Sequence, residues 1–243
     1  MNVLLTLAYD GTNYHGWQRQ ENAISIQERL EDAISKVCKT EISVIGASRT
    51  DTGVHALGQR AMFAKNSNIP IEKFTYAINT QLGSDISVVK SEAVADDFHP
   101  RFSAKNKTYR YKIYNAPFRN PILRNYSWHV YHDLALEKMK EAAKYIIGEH
   151  DFSCFCASGG QAKTTVRTVY NLSLSKENNE ICIDINGNGF LYNMVRIIAG
   201  TLVYAGMSKI EPKSIKDIIL SKDRTRAGIT APPQGLTLME INY

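Results

Sequence analysis

A chain of 243 residues, 44% apolar and 22% charged, has the composition of an ordinary globular protein with room for a sizeable core. Its net charge of +5 permits a polyanionic partner without demanding one. No apolar run approaches the roughly 20 residues of a membrane span, and the longest candidate, residues 194–207, carries Arg196. The opening Met1-Asn2-Val3-Leu4-Leu5 enters a strand pattern with no basic leader, and the four cysteines read as reduced, buried thiols. The expectation is a cytoplasmic protein that makes no use of a membrane. Cys154 and Cys156 lack a second Cys/His pair at zinc-site spacing, so they read as core.

Residues 2–8 alternate as a strand, and Tyr9-Asp10-Gly11-Thr12 closes it as a turn. In Tyr14-His15-Gly16-Trp17-Gln18-Arg19-Gln20, aromatic rings stand beside amide and guanidinium groups. That mixture suits RNA contact, and it equally suits a surface loop anchored by one tryptophan. Residues 24–39 form an amphipathic helix with Ile26, Leu30, Ala33, Ile34 and Val37 on one stripe. Ser25 and Glu28 have capping-box spacing at its start.

A β-branched run, Ile42-Ser43-Val44-Ile45, reads as a strand ending at Gly46. The tight polar turn Ala47-Ser48-Arg49-Thr50-Asp51-Thr52-Gly53-Val54-His55-Ala56 follows. Taken alone, Asp51 reads as a turn-former bonding its own backbone. Residues 57–63 are strand-like, with Arg60 facing either solvent or RNA. A helix over 70–81 with Pro70 at its start and a strand over 86–95 complete the first half. The polar, proline-marked stretch 97–104 is the expected domain junction.

The second half opens with a strand over 107–114 that sets Tyr109 and Tyr111 on one side. A helix over 134–147 is stopped by Gly148, and His150-Asp151-Phe152 and Arg167-Thr168-Val169 bracket a glycine-bearing loop at 158–161. Residues 170–175 and 181–187 pair as a hairpin around Lys176-Glu177-Asn178-Asn179. An apolar helix reaches Tyr204 from Gly189-Phe190-Leu191-Tyr192-Asn193-Met194-Val195-Arg196. A helix over 211–220 and a strand over 236–243 end the chain. Both halves run strand, helix, strands, helix, strand, with no repeat at the level of residues.

The string Arg49-Thr50-Asp51-Thr52-Gly53-Val54-His55-Ala56 resembles the Arg-Thr-Asp-x-Gly-Val-His-Ala signature of the tRNA pseudouridine synthase A family. The resemblance extends through Tyr9-Asp10-Gly11-Thr12, Gly16-Trp17-Gln18, His99-Pro100-Arg101-Phe102, Tyr109-Arg110-Tyr111, His150-Asp151-Phe152, residues 189–196 and Ala231-Pro232-Pro233-Gln234-Gly235-Leu236. Departures are Tyr14 where Phe is usual, Arg60 for a small apolar residue, Gly83 for Pro, and Lys107 for Arg.

The resemblance implies an α+β, two-domain pseudouridine synthase fold, with mixed, mainly antiparallel sheets flanked by helices around a basic cleft. Residues 1–103 would carry the Asp51 loop and residues 104–243 would complete the site. It implies isomerisation of uridine to pseudouridine at positions 38, 39 or 40 of the tRNA anticodon stem-loop, by a homodimer without cofactor or metal. Asp51 takes the catalytic role, and the substrate-binding residues are Tyr109, Arg49, Arg196 and Leu236.

The chemistry asks for a carboxylate, because breaking a glycosidic bond requires stabilising or trapping the sugar cation. A free aspartate, with a pKa of about 3.9, is ionised at neutral pH. Attack at C1′, attack at C6 of the base and abstraction of a sugar proton all remain open to it. The family motif makes Arg196, a cation amid Met194, Val195, Ile197 and Ile198, the partner that holds Asp51. By the same resemblance Tyr109 matches the pocket tyrosine that stacks on the target base; without it, a core or sheet-face tyrosine is the default reading. Arg49 contacts RNA backbone or fills the gap left by a flipped base. His55 reads as a packing or loop-bonding residue and takes no catalytic role. Two rival readings stand beside this one. The first is a non-catalytic RNA-binding paralogue. The second is a metal-dependent hydrolase using Asp10, His15, Asp51, His55, His150 and Asp151, whose spacing matches no ligand set.

Overall fold

The computed structural model describes residues 1–160 and 162–243; Gln161, at the end of the 158–161 loop, lies outside the described residues. Elements run in the order β1 (Asn2–Tyr9), α1 (Ile26–Cys38), β2 (Ile45–Gly46), β3 (His55–Ala64), α2 (Phe74–Asn79), β4 (Ile86–Val94) and β5 (Asn106–Asn115). There follow β6 (Trp128–Val130), α3 (Leu136–Lys144), β7 (Gly148–Asp151), β8 (Val166–Glu177), β9 (Glu180–Gly187), α4 (Met194–Gly206), α5 (Ile215–Ser221) and β10 (Leu236–Asn242). This is the expected α+β class with mixed, mainly antiparallel pairing. The chain divides into two compact units, one of Met1–Lys105 with Thr237–Tyr243 and one of Asn106–Leu236.

In the first unit β1 lies between β3 and β4, antiparallel to both. Val3, Leu5 and Leu7 are buried on one side and Leu4 on the other, as befits a central strand. Thr237 and Leu238 pair in parallel with His55 and Ala56, and the Tyr243 hydroxyl donates to the Pro100 carbonyl at 3.0 Å. The chain's last residues therefore belong to the unit that holds its first.

Helix α1 starts where the capping box predicts. Ser25 Oγ accepts from the Glu28 N–H at 3.2 Å, and the Glu28 carboxylate accepts back from the Ser25 N–H. Its apolar stripe, Ile26, Leu30, Ala33 and Ile34, is buried. Arg60 turns out to serve the sheet. Its guanidinium pairs with Glu92 at 2.7 Å and lies over the Tyr243 ring.

The strand expected over 42–45 shrinks to β2, two residues paired with Met62 and Ala61. Helix α1 takes the backbone groups a ladder would need: Ile42 N–H donates to Ser35 Oγ and Val44 N–H to Glu31 Oε1. The helices expected over 70–81 and 211–220 each begin as a 3₁₀ turn, Ile71–Lys73 and Pro212–Ser214, before α2 and α5.

In the second unit β5, β9, β8 and β7 run antiparallel in that order, and β6 adds to β5 in parallel. The expected hairpin is longer than its sequence pattern, because β8 and β9 extend to Glu177 and Glu180, with Asn178 at φ 52° in the turn. Helix α3 packs on β8 and α4. Nearly every residue of α4 is buried, which accounts for its all-round apolar sequence. Strands β6 and β7 carry no clear alternating signal in the sequence.

Cys154 is buried, and the other three free thiols are half-buried. Burial pushes the Cys154 thiol up to about 12, so it stays protonated and packs as a small apolar group. Among the described residues no helix is long and apolar enough to cross a membrane.

Candidate active site

The turn carrying Asp51 is fixed by groups distant in sequence. On one side, Trp17 N–H donates to Thr50 O at 3.0 Å, and Gly53 N–H to Tyr14 O at 3.3 Å. On the other, the side-chain amide of Gln59 imitates a paired strand. Its Oε1 accepts from Ser48 N–H at 3.2 Å, while its Nε2 donates to Ser48 O at 2.6 Å. Gln59 is fully buried, so both bonds are made away from water, where leaving either group unpaired is costly. Tyr9 reaches Thr50 Oγ1 at 2.8 Å, and Val54 N–H closes the turn on Asp51 O at 3.1 Å.

Two glycines make this closeness possible. A Cβ on Gly11 would stand 2.0 Å from Val54 O, and one on Gly16 would stand 2.6 Å from Thr50 O. Gly16 also sits at φ +84°, a conformation that side chains other than glycine's rarely adopt. The Tyr-Asp-Gly-Thr and Gly-Trp-Gln strings thus form the wall against which the Asp51 turn is pressed. Trp17 is 1% exposed and the Tyr14 hydroxyl donates to Asp85 Oδ2 at 2.8 Å, so both rings are anchored in this wall. Sequence alone left anchoring and RNA contact equal; these contacts support anchoring.

Within the turn Arg49 is exposed and Asp51 half-buried. His55 is buried beneath, with Nδ1 at 3.1 Å from both Gly11 N and Asp10 Oδ1. Unprotonated, that nitrogen accepts from Gly11 N–H; protonated, it donates to Asp10. Either bond ties the wall to the turn, so of packing and loop-bonding it is the second that these contacts support.

In the second unit Tyr109 is buried on β5 and meets the edge of Phe190, ring centroids 5.3 Å apart at 88°. Arg196, half-buried on the first turn of α4, donates from Nε to Ala231 O and from Nη1 to Asn193 Oδ1, both at 2.8 Å. Ala231 N–H donates in return to Arg196 O at 3.1 Å. Asn193 adopts φ 59°, the left-handed conformation that asparagine tolerates best among residues with a side chain.

The Tyr111 hydroxyl donates to Pro232 O at 2.7 Å. Burial raises its pKa far above the usual phenol range, with the Arg196 charge pulling weakly the other way, so Tyr111 remains a neutral donor. Leu236 is buried at the end of this segment. Arg110 faces the other side of β5 and forks onto Asp184 at 2.7 and 3.0 Å.

The expected site residues therefore fall in two sets. Arg49 and Asp51 share one turn of the first unit. Tyr109, Arg196 and Leu236 belong to the second, where Arg196 bonds Ala231, the residue before the Pro232 that Tyr111 holds. Sequence reading passed over Tyr9, Gly16 and Gln59 as supports of the turn; the recurrence of glycine in the motif next to Trp17 was the available signal. Among the described residues no three His, Cys, Asp or Glu side chains are grouped to hold a metal ion, and His150 and Asp151 lie in the second unit, on β7.

A family model described as tRNA pseudouridine synthase matches residues 6–103 and 142–243. The chain is similar to tRNA pseudouridine synthase A of Thermoanaerobacter sp. (strain X514), with 57% identity over 242 residues, covering 100% of this chain and 99% of the relative. It is 54% identical to tRNA pseudouridine synthase A of Ruminiclostridium cellulolyticum, covering 99% of each. Among solved structures it is similar to a chain of the archaeal box H/ACA sRNP Nop10-Cbf5 complex, at TM-score 0.40 and 9% identity. That match covers 83% of this chain and spans 43% of the other.

Proposed function

The chain belongs to the tRNA pseudouridine synthase family, enzymes that convert uridine in tRNA to pseudouridine, and from that premise we propose its target and its working residues. The target is uridine at positions 38, 39 or 40 of the anticodon stem-loop. Asp51 is the catalytic carboxylate. The observation that carries this assignment is the turn itself: a half-buried carboxylate on a backbone held by Trp17, Tyr14, Gln59 and Tyr9. A group that must meet a sugar or base atom within a fraction of an ångström needs such preorganisation. Attack at C1′, attack at C6 and removal of a sugar proton all require the ionised form.

Arg196 is the cation assigned to keep Asp51 charged, and its guanidinium is already oriented by Ala231 O and Asn193 Oδ1. Tyr109 offers its ring to the flipped uracil, steadied by Phe190. Leu236 closes the apolar side of the base site. Exposed Arg49 contacts the RNA backbone beside the target. As in the family, the working form is a cytoplasmic homodimer.

The test is to incubate the purified chain with tRNA carrying tritium at uridine C5. The expected result is tritium release, with pseudouridine confined to positions 38–40. No release would overturn the activity, and pseudouridine only elsewhere would overturn the target.

A further inference from the structure

We propose that the loop of residues 116–127 in the second unit, together with Tyr131, is a second RNA-contact surface, separate from the Asp51 turn. The proposal rests on the reading of the chain as a tRNA-modifying enzyme. The loop lies in the stretch between the two segments that the family model matches. It contains Phe118, the most exposed large apolar side chain among the described residues at 85%, and Ile122 at 77%; Tyr131, just beyond β6, is 63% exposed. Large apolar groups displayed in this number mark an interaction surface.

The display is ordered. Leu123 N–H donates to Asn120 O and Tyr126 N–H to Leu123 O, while Ser127 Oγ donates to Leu123 O. At the loop's root, His129 Nε2 meets Ala116 O at 2.8 Å, and Asn115 Nδ2 donates to Val130 O and His132 O. A loop fixed in this way presents its outward side chains without further ordering, which lowers the entropic cost of binding.

Its charge identifies the partner. Residues 106–132 contain five Lys and Arg and no Asp or Glu. Arg110 is taken by Asp184, and Lys112 lies 4.0 Å from Glu180, which leaves Arg119 and Arg124 as the exposed cations of the loop. The nearby carboxylates lie at the edges: Asp133, exposed two residues beyond Tyr131, and Glu177 and Glu180, which enter at the hairpin tip beside Asn115, at the root. Arginines for phosphates beside exposed rings for unstacked bases form an RNA-binding surface. A second copy of the chain suits the loop less well. In a two-fold contact centred on residues 116–127, each copy would present Arg119 and Arg124 to a loop that holds no Asp or Glu, with Asp133 at its edge as the nearest acid in sequence.

The experiment compares wild type with Phe118→Ser and with the double variant Arg119→Ala, Arg124→Ala. All three positions are exposed, so folding is expected to be unchanged, and a thermal melt checks this. Measured are tRNA Kd across a salt series, KM and kcat for pseudouridine formation, and mass by light scattering. The expected result is about a tenfold rise in Kd and KM for each variant, with kcat within about twofold. The double variant should also show a log Kd against log salt slope shallower by about 1–2. Unchanged Kd and slope would overturn the proposal. So would a halved mass, which would show that a second copy covers the loop. Should wild type bind tRNA but make no pseudouridine, with the variants still weakened, the surface stands and the enzymatic reading falls. If wild type fails to bind tRNA, both fall.

Discussion

The turn of residues 47–54 and the loop of residues 116–127 both join strands, and they are held in opposite ways. The first is held from outside by Trp17, Tyr14, Gln59 and Tyr9, against two glycines. The second is bonded within residues 120–127 and to the strand that follows it, and it turns Phe118 and Ile122 outward. A segment that positions a reacting atom gains from constraint by distant parts of the chain. A docking loop needs only a stable shape and a free face. Substitutions around the first should therefore act on rate and stability together, and substitutions in the second on affinity alone.

The strongest challenge to this contrast is Gly11→Ala. With its new methyl 2.0 Å from Val54 O, either the wall or the turn must move. The expected loss is about 3–5 kcal/mol by urea unfolding, with activity lost too. Pro117→Ala in the other loop should stay within about 0.5 kcal/mol. A Gly11→Ala protein as stable as wild type would break the comparison.

Arg196→Ala comes next, because it removes two charged hydrogen bonds from the Ala231 and Asn193 acceptors. About 3 kcal/mol of stability should be lost, along with most of the turnover. Arg196→Lys should recover only part of each, since lysine keeps the charge without the fork. Normal melting with normal turnover in the alanine variant would remove Arg196 from the site.

Tyr109 separates ring from hydroxyl. Tyr109→Phe is expected to keep tRNA affinity and lose at least about tenfold in single-turnover rate, about 1.4 kcal/mol. Tyr109→Ala should lose both affinity and rate. A phenylalanine variant with wild-type rate would leave the residue as a stacking platform.

The smallest effect concerns Asp151. Hydrogen bonds from the Thr165 hydroxyl and the Lys222 ammonium, the latter at 2.9 Å, hold its carboxyl well below the usual carboxylate range. A depressed folded-state pKa gives stability that is full above the unfolded value, near 3.9, and is lost as pH falls below it. Wild type should therefore lose stability more steeply than Asp151→Asn in melts taken from pH 5 downward. Parallel curves would show that this tie contributes nothing.

Helix α1 was legible because its determinants are local: the cap, the Glu28 reply and the apolar stripe all lie within one segment. The run Ile42-Ser43-Val44-Ile45 has equally good strand residues and forms little strand, because Ser35 and Glu31 of α1 claim its N–H groups. No window of sequence contains that competition. Strand β6 escaped notice for a similar reason, since three residues become a strand only by meeting Ile113–Asn115. Asp51 could be named from its motif, whereas the role of Gln59 depended on its amide reaching Ser48 across the turn. The buried state of Trp17 likewise could not be read from a string that fits RNA contact as well as packing.

The most direct test of the turn's role is Asp51→Asn, which keeps the side chain's shape and removes its charge. Single-turnover tritium release, tRNA Kd and thermal melting would be measured side by side. The expected rate falls by about a thousandfold or more, while Kd stays within about twofold and the melting temperature hardly moves. A variant retaining a tenth of the wild-type rate would contradict the assignment of Asp51 as the catalytic carboxylate.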